Sequence, residues 1–403
     1  MHIKNAVLAC GIVVTMTSSA AAQIVEPDSS RARVQLGPVM LNPTIELTNF
    51  GIDSNVFNQP AGQEQSDFTF TLTPKSDVWM KVGRVWLTGT LREDILWYQK
   101  YTSERAGNTF TKGAIIAPLN RVSFSVGGSL ANVQDRPGFE IDARAQRDER
   151  QVNGSAEFRA LARTLIGVQG YRQAVKFDQN ATFLGSNLAI ELNRVSTSGA
   201  ISVRHEVTPL TSISFDLGRV QDRFETNRLR DSDSTTAGLQ VTLDPAAVIR
   251  GSARLGYRDF EPESHDVPAY QGATVAVNLG YVLLGTTKFD FTASRDVQYS
   301  FDVDQPYYLQ TGFGASIAQQ IFGPVDVVAG LSRYNLDYRE RLGTTVALTG
   351  GTDKVRSYRG GVGYHFGRDL RVGVTVEKQR RISDLPFRAF NGLRIGGSLT
   401  YGV

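Results

Sequence analysis

The chain has 403 residues, with 43 Lys plus Arg against 40 Asp plus Glu, and 41% of its side chains are hydrophobic. A formal net charge of +3 gives no reason to expect nucleic-acid binding, and one Cys with four His leaves little room for a disulfide framework or a metal cluster. Val, Leu, Ile and Phe recur along the whole length, unlike in a disordered chain, and 39 Gly against 14 Pro points to strands and turns rather than helices.

Residues 1–22 read as a secretory signal peptide. Lys4 supplies the positive start, Ala6 to Met16 the apolar run, and Ser19-Ala20-Ala21-Ala22 the small residues before a cut near Gln23. The apolar run is shorter than the roughly 20 residues of a membrane-spanning helix. Leu8-Ala9-Cys10-Gly11 has the look of a lipoprotein cleavage box, but the apolar run continues past Cys10. Cleavage removes Cys10 and Lys4 and leaves a formal charge of about +2. Residues 23–40 are then a short periplasmic segment, and 41–403 the body of the protein.

Period-2 alternation dominates that body, the mark of strands with one apolar and one polar face. Phe68, Phe70, Leu72, Val78, Met80 and Val82 share one parity. Val85, Leu87, Leu91, Ile95 and Trp97 share the next. The pattern continues through Ile213, Phe215 and Leu217, through Val275, Val277, Leu279 and Tyr281, and through Leu393, Ile395 and Leu399. The expected strands are 41–52, 66–82, 84–101, 108–118, 121–134, 147–161, 164–178, 190–207 and 211–224. The rest are 233–243, 247–260, 269–284, 286–300, 306–322, 324–340, 354–366, 369–382 and 389–403. Many run well beyond the five or six residues usual in a soluble sandwich, and beyond the 9–11 that cross a bilayer when tilted.

The breaks are of two kinds, in alternation. Tight ones fall near Gly83, Leu119-Asn120, Ala162-Arg163, Pro209, Pro245, Gly285, Gly323-Pro324 and Gly367-Arg368. Longer polar ones fall between them, as at Glu225 to Asp231 and Gly343 to Asp353. Short turns at one end and longer loops at the other describe an outer-membrane barrel. The fold class is therefore all-β: one transmembrane antiparallel up-and-down barrel of about 18 strands (16–20), its last strand closing on its first. A repeat near 40 residues also suggests a propeller, but each repeat holds two long strands rather than four short ones.

The run from Leu36-Gly37-Pro38-Val39 to Asn55-Val56-Phe57 resembles the opening strand of bacterial outer-membrane β-barrel porins, including porin-like barrels found beside exopolysaccharide genes. Ser66-Asp67-Phe68 to Pro74 and Leu91 to Tyr101 resemble their second and third strands. Residues 394–403 resemble the terminal signal read by the barrel-assembly machinery, except that Val403 stands where an aromatic is usual. The resemblance implies an outer-membrane location and that assembly machinery as a partner, together with outer-membrane lipid. It implies no cofactor.

Several residues invite a functional reading. Trp79 and Trp86 flank the turn near Gly83 on the polar parity, so they are expected to meet as a cross-strand pair in the lumen. That pair would offer a surface for sugar stacking, or else pack the wall. Trp97, on the apolar parity, suits an interfacial girdle. Arg250, Arg254 and Arg258 share one face of a strand, and Arg92 lies on the polar face of its own. As pore-lining residues they would favour anions, unless carboxylates such as Asp94 neutralise them. The mixed-charge run 140–150 lies at a loop-to-strand junction and reads as a solvated loop, the alternative being a segment that folds inward and narrows the pore; no loop looks longer than about a dozen residues.

No nucleophile elbow, zinc-protease or phosphate-loop motif is present, so the chain is not read as an enzyme. A barrel hydrolase would need a Ser or Asp within reach of His365. The leading expectation is a porin passing small hydrophilic solutes by diffusion. The alternative is a barrel serving polysaccharide export or the envelope without general pore activity. Solute, oligomeric state and gating are left open by the sequence.

Overall fold

The computed structural model describes residues 27–343 and 351–402, and the expected signal peptide lies outside them. Eighteen long antiparallel strands follow one another in chain order. They are β1 (Val39–Asp53), β2 (Asp67–Val82), β3 (Val85–Tyr98), β4 (Ala106–Pro118), β5 (Val122–Asp135) and β6 (Ala145–Leu161). Next come β7 (Thr164–Phe177), β8 (Arg194–Thr208), β9 (Thr211–Phe224), β10 (Ser232–Leu243), β11 (Ile249–Pro262) and β12 (Tyr270–Leu283). The last six are β13 (Thr287–Tyr299), β14 (Tyr307–Phe322), β15 (Val325–Arg339), β16 (Thr352–Phe366), β17 (Leu370–Ile382) and β18 (Phe390–Tyr401). Each pairs with its neighbours, and β18 closes on β1 from Ile45 opposite Tyr401 to Asp53 opposite Arg394. The barrel therefore has no open edge, the condition for strands in hydrocarbon. A short strand, Val34–Leu36, folds back on the start of β1.

The alternation is that of a soluble protein turned inside out. Along β9, Ser212, Ser214 and Asp216 are buried, whereas Ile213, Phe215 and Leu217 between them are exposed. Polar side chains fill the interior, and the apolar rows face outward, where lipid replaces water. Trp97 belongs to that outer surface. It stacks on Phe70 with centroids 5.9 Å apart, and the Arg105 guanidinium lies 3.4 Å above its ring.

All eight short turns lie at one end of the barrel. Leu284 and Gly285 both have positive φ (51° and 72°), which lets the chain reverse tightly between β12 and β13. The other end carries the loops, and the β7–β8 loop departs from expectation in both length and form. The β7–β8 loop spans residues 178–193, longer than the dozen expected. Its last part, Leu188–Leu192, is a helical turn (α1) where the sequence pattern predicted strand from residue 190. Leu188, Ile190 and Leu192 alternate as strand residues do. Asn187, however, accepts hydrogen bonds from the Ala189 and Ile190 amides at 2.9 and 3.2 Å, and so caps a helix.

Candidate functional site: the lumen and its loop bridge

The expected arginine row points inward, as its parity requires, but its charges are matched. Arg254 on β11 reaches across β10 to Asp216 on β9 through two bonds of 3.2 and 2.6 Å. Arg258 reaches across β12 to Asp296 on β13 at 3.0 Å. Arg92 holds Asp94 on its own strand at 2.9 and 2.7 Å, and Thr73 donates to the same carboxylate. Arg250 and Asp290 converge over Gly280, 3.2 and 3.3 Å from the point a Cβ there would occupy.

A recurring device makes these crossings possible. Asp216 faces Gly238 on the next strand, and Arg254 lies one strand further on, two residue pairs nearer the turns. A Cβ on Gly238 would sit 2.2 Å from the guanidinium. The same geometry relates Asp326, Gly363 and Arg371, where the Cβ would come within 2.3 Å of the guanidinium. It also relates Glu157, Gly167 and Arg204, whose ion pair closes at 2.6 Å. At Gly238 and Gly363 the glycine leaves a bay in which the arginine lies flat against the wall, whereas at Gly167 the nearest side-chain atoms are Ser202 Oγ and those of Glu157. All six charged groups are buried, so each pair must satisfy itself. The pairing could not be read from sequence, because partners lie two strands apart and 38 to 47 residues distant in the chain.

His365 belongs to one of these sets. Its Nε2 lies 2.7 Å from Asp326, the kind of partner a barrel hydrolase would need. Arg371 holds both oxygens of the same carboxylate at 2.8 and 2.6 Å. No serine hydroxyl hydrogen-bonds the imidazole among the described residues, so the group is part of the wall.

The two lumenal tryptophans do not form the expected direct pair. The β2–β3 turn is centred between Gly83 and Arg84, one residue later than that pairing requires. Trp79 therefore faces Thr88, and Trp86 faces Lys81, whose Nζ lies 4.8 Å from the indole centroid. Trp86 is buried and Trp79 half-buried.

The loop end is where the lumen narrows. Residues 136–144, between β5 and β6, turn inward, which is the alternative reading of the 140–150 run rather than the solvated loop, and only the later part of that run is strand. Phe139 stacks on Tyr334 of β15 at 4.0 Å and packs with Tyr308, Leu336, Tyr338 and Val355. In an eighteen-strand ring, β14 and β15 stand nine strands from β5 and β6, so this contact joins opposite walls. Glu140 accepts from Ser300 Oγ at 2.6 Å and from the Phe301 amide at 3.3 Å. Asp142 accepts from Asn58 at 2.8 Å and from Arg381 of β17. Arg136 and Arg144 donate to the Val56 carbonyl at 2.7 and 2.9 Å, which ties in the β1–β2 loop.

Other loops lock onto this bridge. Leu188 and Leu192 of α1 pack with Ile141 and Phe301. Arg230, fully buried in the β9–β10 loop, pairs with Glu191 and donates to the Asp302 carbonyl at 2.8 Å. Burial of Glu140 pushes its carboxyl up to about 7, against the opposing pull of Arg388. The acidic residues of the bridge were visible in sequence, but nothing local marks Phe139 as a contact for a tyrosine nearly two hundred residues later.

A family profile described as "Putative beta-barrel porin 2" matches residues 32–401. The fold is similar to a BenF-like porin from Pseudomonas fluorescens Pf-5, with 12% identity, a TM-score of 0.50, and coverage of 91% of this chain and 98% of that one. It is also similar to Pseudomonas aeruginosa OccK2 (OpdF) in complex with glucuronate, with 10% identity, a TM-score of 0.48, and coverage of 90% and 97%. At such identities the likeness concerns the fold alone. No curated protein matches the chain.

Proposed function

The chain belongs to this beta-barrel porin family, and from that premise we propose that the outer-membrane barrel passes small hydrophilic solutes by diffusion, with the β5–β6 loop setting the size limit. It is a channel protein rather than an enzyme. The observation that carries the proposal is the bridge from Phe139 to Tyr334 across a polar lumen. A bridge at one level narrows a path whose walls can still hydrogen-bond water and solutes.

The matched charges support weak ion preference. Arg92, Arg254 and Arg258 each lie against a carboxylate, and Arg250 converges with one, so the row offers little uncompensated positive field. The alternative of polysaccharide export is motivated by the family resemblance and by Trp79 and Trp86 as a stacking surface; of these, Trp86 is covered by the wall and by Lys81.

The test is conductance of the refolded barrel in a planar bilayer under a salt gradient. The expected result is a small steady conductance with a reversal potential near zero. A strongly anion-selective current would mean that the arginines act as free charges. A silent bilayer with correctly folded protein would refute diffusion and favour the export or envelope reading.

A further inference from the structure

The outer face of β13–β17 carries an arrangement that the channel does not use. Arg333 on β15 stands directly opposite Arg356 on β16, which stands directly opposite Arg380 on β17. All three share the outward parity of Leu331, Tyr358 and Val376, which belong to the apolar band. They lie just beyond that band on the loop side, and Lys378 adds a fourth charge beside them. Like charges directly opposite on a sheet repel. No carboxylate forms an ion pair with any of the four among the described residues, and the buried Arg356 Nε has no partner. The nearest acid further along the β15 face, Asp337, is bridged to Arg339 at 2.9 Å. Elsewhere on the rim the pattern differs: Arg219 and Arg223 share Asp233, and Lys176 pairs with Glu225.

A groove of about 410 Å³ adjoins the row. Val275, Ala293 and Phe313 line it, with Arg295 and Arg333 at its polar side. Arg295 is oriented by a 2.7 Å bond to Thr311. Apolar floor and cationic edge thus meet on a surface that faces lipid. Charge complementarity with the leaflet identifies the occupant, because phosphate groups sit at the level where the apolar band ends.

We propose that Arg333, Arg356 and Arg380, with Arg295 across the groove, bind a phosphate-bearing lipid of the loop-side leaflet, one acyl chain lying along Val275, Ala293 and Phe313. The phosphate supplies the counter-charge that the row lacks, and guanidinium forks suit its geometry.

The test uses the full barrel in a non-ionic detergent, with bound lipid read by native mass spectrometry. The probes are bisphosphorylated lipid A, its phosphate-free counterpart, and inorganic phosphate. Lipid A should bind the wild type at least about ten-fold more tightly than it binds the Arg333→Gln, Arg356→Gln, Arg380→Gln triple variant. The Lys triple at the same positions should keep most of the binding, and R219Q, altered at a matched rim arginine, should bind as wild type. Without lipid, the Gln triple should melt a few degrees higher because repulsion is gone. Equal binding of the phosphate-free lipid would overturn the proposal, as would equal loss in R219Q. Full displacement by inorganic phosphate would show an anion site rather than a lipid site. If the Gln triple does not fold, the comparison of the two lipids on the wild type decides.

Discussion

The turn-side wall and the loop-side mouth of this barrel solve opposite problems with one chain. In the wall, side chains such as Ser214 and Asp216 are buried while Phe215 and Leu217 are exposed. At the mouth the order is that of a water-soluble protein, with Phe139, Tyr308, Leu336 and Tyr338 packed together inside. The first region lies in hydrocarbon and must hide its polar groups from the outside. The second stands in water, and its inward clusters are ordinary hydrophobic cores. Rigidity follows different rules in each: paired charges across glycine bays below, apolar contact between loops above.

The largest expected effect comes from breaking one ion pair in the wall. Asp216→Ala strands Arg254 in a buried site and should cost about 3–5 kcal/mol, measured by urea unfolding of the barrel in detergent. Gly238→Val should displace the same guanidinium by filling its bay, and its destabilisation should not add to that of Asp216→Ala. Full additivity would mean that the glycine bay and the pair are unrelated.

At the mouth, Phe139→Ala removes the stack on Tyr334 and should cost about 2–4 kcal/mol of loop docking. Protease sensitivity of residues 136–144 should rise, while the urea midpoint of the strands stays put. A lower urea midpoint accompanying the higher protease sensitivity would show that the two regions are one cooperative unit.

The pH dependence is smaller for each pH unit and has a definite sign. Glu140 is raised when docked, so the docked loop holds a proton that the released loop gives up. Its contribution is fully present at acid pH, below the ordinary glutamate range near 4.5, and is lost as pH rises through about 7. Docking should therefore weaken by roughly 1.4 kcal/mol per pH unit within that window and level off above it. Conductance should be lower at pH 5 than at pH 8, and Glu140→Gln should remove the difference. The smallest effect belongs to the exposed pair Arg150 and Asp148, 3.6 Å apart, whose loss should cost less than about 0.5 kcal/mol.

The wall was legible in sequence because a membrane imposes both parity and length. The strand expected at 269–284 is β12, Tyr270–Leu283, and the one expected at 211–224 is β9, Thr211–Phe224. The inward placement of the arginine row followed from the same parity. Its partners did not, since Arg254 skips a strand to reach Asp216. The mouth was hardly legible. Alternation disguised α1 as a strand, and the bridge depends on Phe139 meeting Tyr334 and Asp142 meeting Arg381, contacts that no local pattern encodes.

Whether the β5–β6 loop sets the passage is decided by comparing single-channel conductance of the native barrel with one whose residues 137–143 are replaced by a Gly/Ser stretch of equal length. A several-fold larger conductance is expected in the replaced barrel, with larger neutral sugars admitted. Equal conductance and equal size limits in the two would contradict it.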